Sequence, residues 1–193
     1  MRNLILAALA ATAIATPGVV QAQARGGIIV VDTAQILTNC TACRSASSQL
    51  QQRATALRTR VQTLQQQLQT EGKPISDAIQ ALNGKQPDAA LKQRAQAFET
   101  KRENAERELA NSQTQLQSTA QNVQQQLGTR LVQVVEQVRA RRGAALAVAK
   151  DSTLANDPTA DVTTEVLNAL NTALPAVSVT PLPQQQQQQT QSR

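Results

Sequence analysis

Residues 50–69 read LQQRATALRTRVQTLQQQLQ. Leu50, Leu57, Val61, Leu64 and Leu68 stand seven, four, three and four apart, a heptad spacing that draws one apolar stripe along a helix. Gln, Arg and Thr fill the other faces. A helix this polar buries little by itself, so the stripe predicts a partner helix lying along it. Neither Pro nor Gly occurs from about Ala34 to Gln69, and one uninterrupted helix is expected there.

Downstream, Gly72-Lys73-Pro74 and Asn83-Gly84-Lys85-Gln86-Pro87 are two clusters of turn-forming residues. They bracket a short helical piece, Ile75 to Leu82, and together predict a tip near 71–88 where the chain reverses. A second helix is expected from Ala89 to Arg142, with Phe98, Leu109, Leu116 and Val123 continuing the seam. At ~1.5 Å per residue it approaches 80 Å, so an antiparallel hairpin over residues 34–142 is the economical packing. Arg139, Arg141 and Arg142 suit the negative end of this helix, and Gly143 falls where a C-terminal cap belongs. Gly128, inside it, reads as tolerance in a long helix, with a bending point as the sharper alternative.

The flanks differ in kind. Ile28-Ile29-Val30-Val31 is a β-branched run, read as a short buried strand, and Asp32 with Gln35 has capping-box spacing at the start of a helix. Ala144 to Lys150 reads as a second strand and Thr153 to Ala155 as a short third one. Val162 to Leu174 reads as a last helix with Val162, Val166, Leu167, Leu170 and Leu174 on one face, capped by Asp161 or Thr163. Three short strands cannot make a stable sheet alone, so several copies are expected to pool them into one body. That body, residues 27–33 and 144–174, would hold Ile28, Ile29, Val30, Val31, Leu146, Val148, Val166, Leu167 and Leu170 in its oligomer core. The expected fold class is mostly α with a small β core: a long antiparallel helical hairpin projecting from a short-stranded oligomerisation body. Residues 175–193, with three prolines and six consecutive Gln, are expected to be disordered.

Composition agrees with a rod. The 193 residues include no His, Trp or Tyr and a single aromatic residue, Phe98, where globular cores use several such fillers. Net charge is +6, or +5 without Arg2. The N-terminus has the layout of a signal peptide over residues 1–24. Arg2 precedes an apolar run from Leu4 to Ala15, then Pro17-Gly18 and small residues at Ala22 and Ala24. The run is shorter than the roughly 20 residues of a membrane span. The reading is an exported periplasmic protein, which makes nucleic acid an improbable partner.

This layout resembles the Skp (OmpH-like) family of periplasmic chaperones, from Ile28 to about Leu174. The local matches are Ile29-Val30-Val31-Asp32, Ala95-Gln96-Ala97-Phe98-Glu99, and Asp161-Val162-Thr163-Thr164-Glu165-Val166-Leu167. The resemblance implies a homotrimer whose strands build a β-core and whose three helical arms enclose a cavity. That cavity would hold unfolded outer-membrane β-barrel proteins without nucleotide or cofactor. The family is also associated with lipopolysaccharide through basic residues on the arms, so contact with anionic lipid is a further expectation. The arginine pair that some members carry falls here on Asn104 and Ala105. Lys101 and Arg102 lie near but are not equivalent, and that site is not carried over.

Residues able to do chemistry are few. Cys40 and Cys43 form a C-x-x-C pair. An intrachain disulfide is the default reading in an exported protein, with redox, intersubunit and metal roles as alternatives. Two Cys and no His cannot complete a four-ligand zinc site in one chain. Glu99, Glu103 and Glu106 interleave with Lys101, Arg102 and Arg107 at helical ion-pair spacing, which points to a solvated face rather than to acid–base catalysis. Ser residues have no His to activate them, and no phosphate loop is present. An enzyme is therefore not expected, and catalytic and metal sites are read as none. The competing reading is a structural coiled-coil spacer or adaptor of the cell envelope, although a spacer has no need of strands at the hairpin root.

Overall fold

The computed structural model describes residues 26–182. The expected signal peptide and the glutamine run lie outside those residues. Strand β1 (Ile28–Val31) leads into α1 (Thr33–Asn39), α2 (Thr41–Ala81) and α3 (Ala89–Arg141), followed by β2 (Leu146–Ala149) and α4 (Thr163–Ala173). Short 3-10 turns at Lys150–Ser152 and Pro158–Ala160 link β2 to α4. The two strands pair in parallel, Ile28 opposite Leu146 and Val31 opposite Ala149. Parallel strands need a crossover connection, and here the crossover is the entire α2–α3 hairpin.

The root of the hairpin carries the core. Ile29 and Val31 meet Ile36 of α1, Ala42 and Ala46 of α2, and Val162, Val166 and Leu170 around α4. From α3 come Val123, Leu127, Leu131, Val134 and Val138, steps of four, four, three and four that keep one face inward. Ile36, Val138, Val166 and Leu170 are fully buried, each stabilising the fold by ~1.5–3 kcal/mol relative to an exposed side chain.

The caps are built from the residues the sequence offers. Asp32 accepts from the Gln35 amide at 2.8 Å, while its own N–H donates to the Thr163 hydroxyl at 2.9 Å. One half of the expected capping box forms, and Thr163 of α4 occupies the other. Asp88 caps α3 through the Leu91 amide at 2.7 Å. At the far end Gly143 adopts φ +63°, Gly143 N–H bonds the Ala140 carbonyl, and Ala144 N–H bonds that of Arg139. Those two bonds form a Schellman motif, which the left-handed glycine permits.

Four expectations need correction. The first helix is broken at Cys40, whose extended backbone (φ −64°, ψ 142°) ends α1 and starts α2. The Thr41 amide there is taken by Asn171 Oδ1 at 2.8 Å, which ties the break to α4.

Gly72 and Pro74 do not end a helix, and no separate piece begins at Ile75: α2 runs through both to Ala81. A Cβ on Gly72 would stand 2.7 Å from Cζ of Phe98, so this glycine is the seat of the ring. Pro74 orphans the carbonyl of Thr70, but that turn is exposed and water can serve it. A Lys73–Asp77 ion pair at 2.9 Å spans the proline. The reversal is confined to the second cluster, where Asn83 and Gly84 take positive φ.

No third strand forms at Thr153–Ala155. Thr153 folds back through its N–H and hydroxyl onto the Lys150 carbonyl, and Asp161 takes the place beside Val30 in a parallel bridge.

Residues 175–182 are not disordered. They run as an ordered strap beside α3, with Val179 and Leu182 buried. The apolar residues at 177, 179 and 182 outweigh the composition signal that the prolines and the following glutamines give.

Candidate functional site

The arm is made by the two longest elements of the described residues. At ~1.5 Å per residue, the 41 residues of α2 extend ~60 Å and the 53 of α3 ~80 Å. Its seam is thin. Leu64, Leu91, Ala105 and Val123 are buried, whereas Leu50, Leu57, Val61, Leu68, Phe98, Leu109 and Leu116 are only partly covered. Most of the expected seam residues therefore keep some contact with solvent.

Charges tie the two helices across the seam. Arg60 donates from two nitrogens to both oxygens of Glu108 at 2.6 and 2.9 Å, and Lys101 pairs with Glu71. The Arg60 hydrogen bond holds the Glu108 carboxyl below its ordinary range, and Glu108 in turn raises the guanidinium. Within α3, Arg102 pairs with Glu99 and Arg107 bonds Asn104. The outer face is Gln, Thr and Arg. An open depression of about 630 Å³ runs along α2 from Ser48 to Thr63, walled mainly by Gln and Thr side chains with Arg60 among them.

At the root, the residues expected in an oligomer core divide into two sets. Ile29, Val30, Val31, Val166 and Leu170 are buried within this chain, and Val148 and Leu167 are half-buried. Ile28 and Leu146 are paired in register yet 54% and 51% exposed, and Leu154 stands fully in solvent. Because β1 has β2 on one side and Asp161 on the other, the free edge of this small sheet is that of β2. Two strands make a marginal sheet.

Polar clamps hold this root. Lys150 donates to Asp161 at 2.7 Å, and Thr163 N–H bonds the same carboxylate at 3.0 Å. The Lys150 hydrogen bond first, then those from Thr163, lower the Asp161 pKa from its ordinary 3.8 to about 2. Arg142 and then Arg141 hold Glu165 below its ordinary range and so pin the end of α3 to α4.

Cys40 and Cys43 are joined by a disulfide with Cα atoms 5.1 Å apart. Both are buried in the root core, and Cys40 Sγ accepts from the Cys43 amide. Among the described residues, no group of three or more His, Cys, Asp or Glu is placed to hold a metal ion, and no helix is long and apolar enough to cross a membrane. The feature that sequence reasoning missed is the strap. Its signal was the alternation of apolar Val177 and Val179 with polar Ser178 and Thr180, hidden among prolines.

A small strand pair at the root of a long helical hairpin defines a tentacle-bearing class of protein. A model of the outer membrane protein (OmpH-like) family matches residues 27–170. The chain belongs to the OmpH-like family. Its fold is shared with a crystal structure of an OmpH-like protein, a candidate outer membrane chaperone, from Caulobacter crescentus CB15. The two have a TM-score of 0.66 and 15% identity, over 94% of this chain and 99% of that one. No curated protein matches the chain at a significant level.

Proposed function

We propose that this chain is an ATP-independent periplasmic holdase that binds unfolded outer-membrane β-barrel proteins between helical arms and prevents their aggregation. The observation that carries the reading is the contrast between a closed root core and an arm whose seam is mostly half-covered. An arm of this kind offers many weak, sequence-tolerant contacts, and release from weak contacts needs no chemistry. The basic balance of the chain favours encounter with acidic clients. It also makes contact with anionic lipid or lipopolysaccharide part of the proposal. The exposed Ile28 and Leu146 of the strand pair, and the exposed Leu154 beyond it, favour a homotrimer in which each copy covers apolar surface of the next. The signal-peptide layout of residues 1–24 supports export.

The Cys40–Cys43 bond is read as a staple that fixes the break between α1 and α2. Its burial keeps a redox partner from reaching either sulfur. With no His in the chain and no cofactor invoked, we read the protein as non-enzymatic.

The test is dilution of a urea-unfolded outer-membrane β-barrel protein into buffer with the chain and no nucleotide. Suppressed turbidity at a few copies per client is the expected result. Unchanged turbidity at a large excess of chain refutes the holdase and leaves the envelope spacer, which the heptad seam alone would also serve.

A further inference from the structure

The strap is held in a way that ordinary tail packing does not require. Ser118, Asn122, Gln126 and Arg130 stand four apart on α3, and each bonds the backbone of the chain at or beyond the end of α4. Gln126 reads Ser178 twice, accepting its N–H at 2.9 Å and donating to its carbonyl at 3.0 Å. Asn122 donates to the Thr180 carbonyl at 3.0 Å, and Ser118 Oγ accepts the Leu182 N–H at 2.9 Å. Arg130 donates to the Ala173 carbonyl at 3.2 Å.

The register has a physical origin. Four residues of helix rise ~6.0 Å, and two residues of extended chain span ~6.6 Å. One polar residue per four on α3 therefore meets every second peptide group of an extended segment lying antiparallel to it. The bonds at Ser178, Thr180 and Leu182 are all to main-chain atoms, so the ladder sets no side-chain identity. Side chains matter only as apolar residues: Val177 and Val179, on alternate positions, pack on the root core, while Leu182, one position out of that alternation, is buried where its N–H meets Ser118.

We propose that the α3 face carrying Ser118, Asn122 and Gln126 is a binding site for an extended polypeptide with alternating apolar residues, and that residues 175–182 are its built-in competitor. Resting on the holdase reading, the external ligand is a β-strand segment of an unfolded outer-membrane protein, whose residues alternate in this way. The strap is tethered directly to α4 and so competes at an effective concentration of order millimolar. Its bonds to Gln126 and Asn122 are solvent-exposed, which keeps it displaceable.

The experiment uses the full chain and fluorescence anisotropy with two labelled peptides. One is the strap sequence PAVSVTPL, and the other copies a single transmembrane strand of a β-barrel protein. Val179→Asp with Leu182→Asp frees the seat, and adding Asn122→Ala and Gln126→Ala removes the ladder. Both peptides should bind the freed chain at least about tenfold more tightly than the wild type, and the ladder substitutions should reverse that gain. Equal binding by all three chains, or none by the freed chain, overturns the proposal. Binding of the strap peptide alone also overturns it while leaving the holdase untouched. Binding of both peptides by a chain that fails to suppress aggregation upholds the site and sinks the holdase. Should the freed chain not fold, hydrogen exchange on the wild type decides. The Ser178 and Leu182 amides should lose protection when the barrel-strand peptide is added in excess, and unchanged protection overturns the proposal.

Discussion

The root and the arm are made from similar aliphatic residues and end in different states. In the root, Ile36, Val138, Val166 and Leu170 are fully buried because five elements converge there. Along the arm two helices meet, joined near the root by the strap, and Leu57, Val61 and Leu68 remain half-covered. Stability is therefore concentrated at one end, and the other end is left with unspent apolar surface. The difference teaches that the same residue types close a core where several elements converge and leave apolar surface open where a helix pair runs on alone.

Substitutions can break that comparison at either end. Leu170→Ala in the root should cost ~2–5 kcal/mol, because neither the lost burial nor the cavity can be recovered there. Urea unfolding should show it as a lower midpoint, and Leu57→Ala in the arm should move the same midpoint far less. If the arm substitution costs as much as the root one, the division is wrong.

Next in size is the staple. Replacing Cys40 and Cys43 together with Ser should destabilise by about 2 kcal/mol, the loop-entropy value for so short a ring. Thermal melts with and without reductant check it: the wild type in reductant should match the double variant.

Acid should act on the root through Asp161. Its folded pKa is depressed to about 2 from an ordinary 3.8. Its contribution is thus fully present above about pH 4 and is lost as pH falls through about 2. Glu165 and Glu136, also held low by arginines, push in the same direction. Thermal midpoints measured across that window should fall less steeply for Asp161→Asn than for the wild type.

The smallest effect is a gain. A Cβ at Gly128 meets nothing within 4 Å, so Gly128→Ala should raise stability by ~1 kcal/mol through helix propensity alone. A loss there would show that α3 bends at this residue in solution. Gly72→Ala is the contrast: its Cβ meets the Phe98 ring, so the propensity gain is opposed by displacement of that ring.

The legible parts of this fold were those governed by periodicity and local caps. The seam Leu50 to Leu68, the α3 boundaries and the α4 stripe are written at three- and four-residue spacing. Gly143 announces the end of α3. What stayed hidden depends on contacts between distant residues. Gly72 reads as a breaker until Phe98, 26 positions later, is known to sit on it. Cys40 breaks a helix because Asn171 receives the next amide. Thr153–Ala155 reads as a strand until Asp161 takes the place beside β1. The strap was misread because proline and glutamine content speaks for the average of a segment, whereas Val179 and Leu182 act one residue at a time.

The central claim is that copies pool at the root so that their arms can hold a client. Light-scattering mass of the chain from Arg25 onward, alone and mixed with a urea-unfolded outer-membrane β-barrel protein, tests it most directly. The account predicts three copies alone and a discrete soluble complex of three copies with one client. A monomer or a two-copy rod that leaves the client to aggregate would contradict it.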